Sequence, residues 1–261
     1  MNIAPRVFSL FPAGFCRLIG LGLGLILTTG AVAQTAPSEV ETKVASHVFN
    51  GYARVKLADG SYKSESYVFA NGGTFDGEPI AGDTIDTMGF DEVALIVADA
   101  LKNQNFVSSH DLQTTDQMIM LWYGTTRRTV DKPTAYEIIE RQNARILGFQ
   151  KEFSSAGALS FTSFAHDFYD EFRAGRYFVV MKAYDAQVAR KEKRLKLLWE
   201  SRFSIQRQAV VFSDQLPSMS RFAARTFGHE TNGILNPDSI KGEVKMGELK
   251  VLGYSGPSKP N

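Results

Sequence analysis

A single cysteine, Cys16, occurs among the 261 residues of the chain. It lies just before the unbroken apolar run at residues 18–27, which follows two arginines and leads to an A-x-A sequence ending at Ala33. This order of basic, apolar and small residues is typical of a secretory signal peptide, and it predicts cleavage before Gln34. The apolar run is shorter than the ~20 residues that a transmembrane helix needs, so an uncleaved anchor is the less favoured alternative.

Cleavage before Gln34 removes Cys16, so the sequence predicts a mature chain with no disulfide and no catalytic thiol. Packing of an apolar core must then stabilise the fold, and the residues from Gln34 onward are numerous enough to form one. We expect the mature protein to be periplasmic or secreted and to contain no transmembrane segment.

The composition excludes several classes of protein. Hydrophobic residues make up 44% of the chain, and 29 basic residues nearly balance 28 acidic ones. These values are typical of a globular protein and differ from those of a disordered chain or a fibre. Because the net charge is only +1, the composition gives no reason to expect a nucleic-acid partner.

The order of the expected elements predicts an α/β (α+β) sandwich. A mixed sheet of about five to seven strands would carry packed helices and a helical insertion at about 131–175. We expect one domain over residues 47–252. A signal peptide (1–33) and a mobile polar leader (34–46) precede it, and a disordered tail (253–261) follows it.

The domain is expected to begin with a β-hairpin. Two alternating segments, 47–57 and 66–70, flank the turn sequence Asp59-Gly60. A long loop, rich in Gly, Asp and Thr, is expected at 71–89.

Apolar residues at helical spacing predict a helix over residues 91–103, with Asp91 as its N-cap. A short strand is expected at 105–108. The apolar run at 116–123 is typical of a buried central strand.

Two further helices are expected at 133–149 and 160–173, separated by Gly157. The segments 177–184 and 195–205 have the strongest strand pattern in the chain and are expected to pair as a hairpin. The remaining elements expected are a charged connection at 185–194, a last helix at 212–227 and a final strand at 241–252.

The sequence lacks several motifs of known catalytic sites. It contains no P-loop, no G-x-S-x-G elbow and no Ser-x-x-Lys pair, so it favours a non-enzymatic protein without a cofactor. His166 and Asp170 are candidate metal ligands because they lie one turn apart on an expected helix, although a solvated helix face explains the pair better. Weak calcium binding by the acidic loop is a further, less favoured hypothesis. The residues of that loop are Asp76, Glu78, Asp83, Asp86 and Asp91.

Five basic residues cluster in the connection of the strongest hairpin and form the candidate binding site. They are Arg190, Lys191, Lys193, Arg194 and Lys196. An exposed basic tip suits an anionic envelope surface or an acidic patch on an envelope protein. The competing interpretation is a solvated turn whose lysines keep strand edges from aggregating.

Three stretches together resemble a known group of proteins. They are DEVALIVADALKNQNF (91–106), TTDQMIMLWYG (114–124) and YFVVMKAYDAQVARKEKRLKLLWESRF (177–203). With them the chain resembles an uncharacterised family of exported bacterial envelope proteins, many of them lipoproteins, that have a small α/β sandwich. The resemblance implies an exported bacterial protein to which no catalytic residues are attached. The chain departs from that family because it has no lipidated cysteine and carries the helical insertion.

The leading hypothesis is an exported, non-catalytic protein that binds the cell envelope or assists its assembly. Two alternatives stay open. One is a periplasmic carrier of a small hydrophobic or glycan ligand, held between the sheet and the helices at 133–173. The other is a hydrolase with an unrecognised site, metal-assisted through His166 and Asp170.

Overall fold

The computed structural model of the chain describes residues 41–75, 85, 88–128, 136–158, 169–170, 173–207 and 210–237. The expected signal peptide, the strand expected at 241–252 and the C-terminal tail lie outside these residues. Most of the helix expected at 160–173 and of the loop expected at 71–89 lies outside them as well.

The described residues form a six-stranded mixed sheet with helices packed on it, as the sequence predicts. The strands are β1 (Lys43–Val48), β2 (Glu65–Phe75), β3 (Phe106–Ser108), β4 (Gln117–Thr125), β5 (Arg176–Asp185) and β6 (Leu197–Gln206). Their order across the sheet is β1-β6-β5-β4-β2-β3. Strands β1, β6, β5 and β4 pair antiparallel, whereas β2 pairs parallel with both β4 and β3.

Five helices occur among the described residues. They are α1 (Phe90–Lys102), α2 (Tyr136–Leu147), α3 (Gln150–Ala158), α4 (Ala186–Glu192) and α5 (Phe212–Ala224). None of these described helices is both long enough and apolar enough to cross a bilayer.

The sheet is covered on both faces because β5 carries apolar side chains on both. Val179 and Met181 belong to the larger core, which also contains the buried faces of α1 and α5. Phe178 and Val180 point to the opposite face and join the second core, beneath α2 and α3. A strand with this pattern is typical of the interior of a layered α/β fold, where neither face meets water.

Helix α1 matches its predicted periodicity. Val93, Val97 and Leu101 are fully buried, as expected for apolar residues three to four positions apart. The expected N-cap is wrong, because Gly89 occupies that position. Asp91 lies in the first turn, where its carboxylate interacts favourably with the positive end of the helix dipole.

The expected hairpin between the first two strands is also wrong. The Asp59-Gly60 turn itself is present. The Gly60 amide donates to the Leu57 carbonyl at 3.0 Å, and Lys56 and Tyr62 form an isolated antiparallel β-bridge. It closes only a short arm, however, while β1 pairs with β6 and β2 pairs with β4 and β3. Strand β1 begins at Lys43, inside the segment expected to be a leader.

The outer edge of β1 is covered by residues that follow α5. The amides and carbonyls of Val44 and Leu235 exchange two hydrogen bonds of 2.8 Å, and the Thr231 amide donates to the Ser46 carbonyl at 2.8 Å. A covered edge offers no free strand to another chain, and this protects the sheet on that side from edge-to-edge pairing.

The helical insertion divides at a different glycine from the one expected. Helix α2 ends at Leu147, and Gly148 takes a φ of 82°, a conformation that glycine adopts readily at a helix C-terminus. Gly157 lies inside α3 and does not separate two helices.

A buried ion pair fastens α2 to the sheet. Arg202 Nε and Nη2 donate to the two carboxylate oxygens of Glu200 at 3.0 and 3.2 Å, and Lys182 Nζ lies 3.4 Å from Glu200 Oε2. Arg202 Nη1 donates to the carbonyls of Arg145 and Ile146, at 2.6 and 2.8 Å. The guanidinium therefore donates to carbonyls in the last turn of α2 that have no partner within the helix, and the Glu200 carboxylate on β6 neutralises its charge.

We expect Gly124→Ala to destabilise the protein by about 2 to 3 kcal/mol, because a Cβ at this position would overlap the carbonyl of Phe75 on the adjacent strand. The control is Gly89→Ala, since its φ of −73° suits alanine and no atom lies within 4 Å of the added Cβ. It should cost about 1 kcal/mol or less, the cost of alanine in place of glycine at a helix N-cap. Urea unfolding of both variants checks the prediction. Equal midpoints for the two variants would contradict it.

Glu200 makes the stability of the fold depend on pH. Burial alone would raise the pKa of Glu200. The hydrogen bonds and charges of Arg202 and Lys182 have the larger effect, and the pKa of Glu200 is lowered below its ordinary value of 4.5. The ion pair therefore stabilises the fold above pH 4.5, and this stabilisation is lost as the pH falls through the lower pKa of the folded state.

We expect Glu200→Gln to lower the free energy of unfolding by about 2 kcal/mol at pH 7, since it leaves two cations without their carboxylate. The difference from wild type should shrink as the pH falls below about 4.5. Urea unfolding from pH 7 to pH 3 measures this, with the exposed Glu137→Gln as control. A difference that stays constant over this range would contradict the assignment.

Candidate functional site

The five basic residues of the candidate site lie on and after a short helix rather than in a simple turn. Strands β5 and β6 pair antiparallel as predicted, and α4 forms their connection. Asp185 caps α4, since its Oδ1 accepts hydrogen bonds from the amides of Gln187 and Val188 at 3.1 and 3.0 Å. The helix ends at Lys193, whose φ of 55° turns the chain back toward β6.

Three of the five basic side chains have partners nearby. Arg190 donates to Gln113 Oε1 at 2.5 Å and to Gln187 Oε1 at 2.8 Å. Arg194 pairs with Glu192 at 2.7 Å, and Lys196 lies 3.7 Å from the Asp185 carboxylate.

Lys191 and Lys193 differ from these three. Both are exposed, and neither forms an ion pair with another residue in the described part of the chain. The two ammonium groups therefore present positive charge to solvent at the C-terminal end of α4.

Helix α4 lies at the end of the sheet where β1 and β5 finish and β2, β4 and β6 begin. We call this end, with the connections 49–64, 103–105, 109–116 and 186–196, the basic end. All four connections consist of described residues. Their basic residues are Arg54, Lys56, Lys63, Arg190, Lys191, Lys193, Arg194 and Lys196, and their acidic residues are Asp59, Asp111, Asp116 and Glu192.

Hydrogen bonds join α4 to the connection before β4. Gln187 Nε2 donates to the carbonyls of Gln113 and Thr115, at 2.8 and 3.0 Å. Together with the bond from Arg190 to Gln113, these contacts hold the 109–116 connection against the helix. Helix α4 and the 109–116 connection therefore form one hydrogen-bonded unit.

A buried polar network that sequence analysis missed lies between the 49–64 connection and the sheet. The Arg54 side chain is fully buried, lies 3.0 Å from the Glu65 carboxylate and packs 3.9 Å from the centre of the Phe106 ring. Its Nη2 also donates to the Gln104 carbonyl at 2.8 Å. These contacts pin the 49–64 arm to the start of β2 and β3.

The network continues into the core through Gln117. Gln117 Nε2 donates to Glu65, and its Oε1 accepts from Trp199 Nε1 at 2.9 Å. Tyr52 donates to Glu65 Oε2 at 3.0 Å, and burial together with the Glu65 charge raises the pKa of Tyr52. The tyrosine therefore stays protonated and keeps its hydrogen bond throughout the physiological range.

The sequence His229-Glu230 lies in the turn after α5. Glu230 accepts hydrogen bonds from His47 Nδ1 at 2.7 Å and from the Val48 amide at 2.9 Å. Burial and the charge of Arg54 lower the pKa of His229, which favours the neutral imidazole. Glu230 therefore fastens the end of β1.

The candidate metal ligands are not brought together among the described residues. His166 lies outside them, and the Asp170 carboxylate accepts a hydrogen bond of 3.0 Å from Arg173. Asp76, Glu78, Asp83 and Asp86 also lie outside, whereas Asp91 belongs to α1. Within the described ranges, no group of three or more His, Cys, Asp or Glu side chains is placed to hold a metal ion.

One cavity of about 380 Å³ lies beside α2 and α3. Its lining consists of Glu137, Glu140, Arg141, Phe153, Ser154, Tyr169 and Arg173. These residues come from the helical insertion alone, whereas the carrier hypothesis expects a cavity between that insertion and the sheet. The carrier and hydrolase hypotheses stay predictions.

Comparisons with known proteins identify no family. No family model matches the chain, and no curated protein matches it. Among solved structures, a PDZ domain protein from Parabacteroides distasonis matches with 11% identity and a TM-score of 0.36, over 76% of this chain and 39% of that one. The PelC dodecamer from Paraburkholderia phytofirmans matches with 10% identity and a TM-score of 0.31, over 71% of this chain and 99% of that one. Similarities this weak carry no argument about function.

We expect Asp185→Ala to destabilise α4 by about 1 kcal/mol, because the variant loses both hydrogen bonds to the first turn. Asp185→Asn should retain most of the stability, since asparagine is an equally good N-cap. Hydrogen exchange of the α4 amides checks this prediction. Indistinguishable exchange in the two variants would show that the cap does not hold the helix.

Proposed function

We propose that this is an exported, non-catalytic protein that binds an anionic surface of the cell envelope through its basic end. The observation that carries the proposal is the exposed pair Lys191 and Lys193, which have no ion-pair partner among the described residues. Positive charge presented in this way attracts anionic surfaces and acidic partners.

The distribution of charge supports the proposal. Over the whole chain basic and acidic residues nearly cancel. With the buried Arg54 left out, because it is paired with Glu65, the four connections of the basic end carry seven basic residues against four acidic ones. One end of an otherwise neutral molecule would therefore be drawn toward an anionic surface, and this would orient the protein on approach.

The position of α4 weakens the competing interpretation of the charge run. Lysines protect strands that lie at the edge of a sheet. Strands β5 and β6, which α4 connects, are interior strands with a neighbour on each side. Protection of a strand edge therefore gives no reason for five basic residues at this connection.

Export is the second part of the proposal and rests on the N-terminal sequence. The basic, apolar and small-residue segments that end at Ala33 have the order of a cleavable signal. An envelope-binding surface is useful only in a protein that reaches the envelope, so the two parts support each other.

Cell fractionation tests the proposal. We expect the wild-type chain to sediment with the envelope, and Lys191→Gln with Lys193→Asn to lower the bound-to-soluble ratio on the order of tenfold or more. Asparagine suits the positive φ of position 193. Salt should weaken the association of the wild-type protein, because exposed charges are screened.

Arg127→Gln with Arg145→Gln is the matched control, since it removes two exposed positive charges, one just after β4 at the opposite end of the sheet and one from α2. This control should fractionate like the wild type. The proposal would be wrong if the control and the Lys191→Gln, Lys193→Asn variant associated equally with the envelope.

A further inference from the structure

Exposed aliphatic side chains are concentrated at the basic end. Nine large hydrophobic residues are exposed in the described part of the chain, and five of them lie on β3 and three of the four connections at this end. These five are Val55, Leu57, Val107, Leu112 and Leu195. The other four are scattered over helices and over the opposite end of the sheet.

The two most exposed of the five lie next to the basic helix. Leu195, 57% exposed, is placed between Arg194 and Lys196. Leu112, 61% exposed, precedes Gln113, which Arg190 and Gln187 hold against α4. Two leucines and two unpaired lysines are therefore carried by the same hydrogen-bonded unit of the structure.

Single exposed apolar residues are ordinary on protein surfaces, but apolar residues interspersed with lysine and arginine on one surface are typical of proteins that lie on membranes. Lysine and arginine are attracted to anionic headgroups, and leucine gains from entering the boundary between headgroups and acyl chains. A soluble polyanion would gain from the lysines alone.

We propose that the partner of the basic end is a bilayer that contains anionic phospholipid, into which Leu112 and Leu195 insert. This inference rests on the proposed function and names the surface that the basic end recognises. The fixed backbone of α4 and the 109–116 connection holds both leucines at the membrane-facing end without refolding.

Vesicle sedimentation with the purified chain from Gln34 onward tests the inference. Vesicles of phosphatidylcholine with 30% phosphatidylglycerol (about one lipid in three anionic) should bind the protein, and vesicles of phosphatidylcholine alone should bind it at least tenfold more weakly. Part of the binding should persist at 0.5 M salt, because burial of apolar surface is not screened by ions.

The decisive variant is Leu112→Ser with Leu195→Ser, which should lower vesicle binding at least tenfold and leave salt-sensitive binding to polyphosphate unchanged. The control is Leu95→Ser with Ile138→Ser, which removes two apolar residues that are at least as exposed from α1 and α2. This control should bind vesicles like the wild type.

Two results would overturn the inference while leaving the proposed function intact. One is equal vesicle binding by the leucine variant and the wild type. The other is a wild-type protein that binds isolated envelopes through Lys191 and Lys193 but binds no lipid vesicle, which would indicate an envelope protein or polymer as partner. Failure of the proposed function is recognised separately, by a lysine variant that fractionates like the wild type.

Discussion

The burial of strand β5 on both of its faces is the constraint on which the rest of the structure depends. Phe178 and Val180 need one covering layer, and Val179 and Met181 need another, so the fold must have helices on both sides of the sheet. The second layer packs buried apolar residues of the insertion, Leu147, Phe149 and Phe153 among them, against the sheet. Arg202 adds a polar attachment, because it bridges Glu200 on the sheet and the last carbonyls of α2.

A buried polar network supports the connections of the basic end. Arg54 is buried against Phe106 and paired with Glu65, and the same carboxylate is reached by Tyr52 and Gln117. A surface that must meet a partner without reordering gains from such support, since less conformational entropy is lost on binding.

Sequence reasoning succeeded where the signal is local. The periodicity of α1, the apolar runs of β4 and β5 and the basic segment are all visible within a dozen residues. The partner of β1 was missed because it lies about 150 residues away, and the Asp59-Gly60 turn gave a local but wrong reason to pair β1 with β2. The Arg54 network and the proximity of Leu112 to α4 left no sequence signal, since only the topology brings these residues together.

The covered edge of β1 also bears on the order in which the chain folds. During synthesis or translocation from the N-terminus, β1 emerges before the strand that it pairs with. Its sheet partner β6 and the residues that cover its outer edge come about 150 to 190 positions later. The backbone of β1 therefore remains unpaired until almost all of the described chain has emerged. Contacts so distant in sequence slow folding and leave this segment open to aggregation or to a chaperone in the meantime.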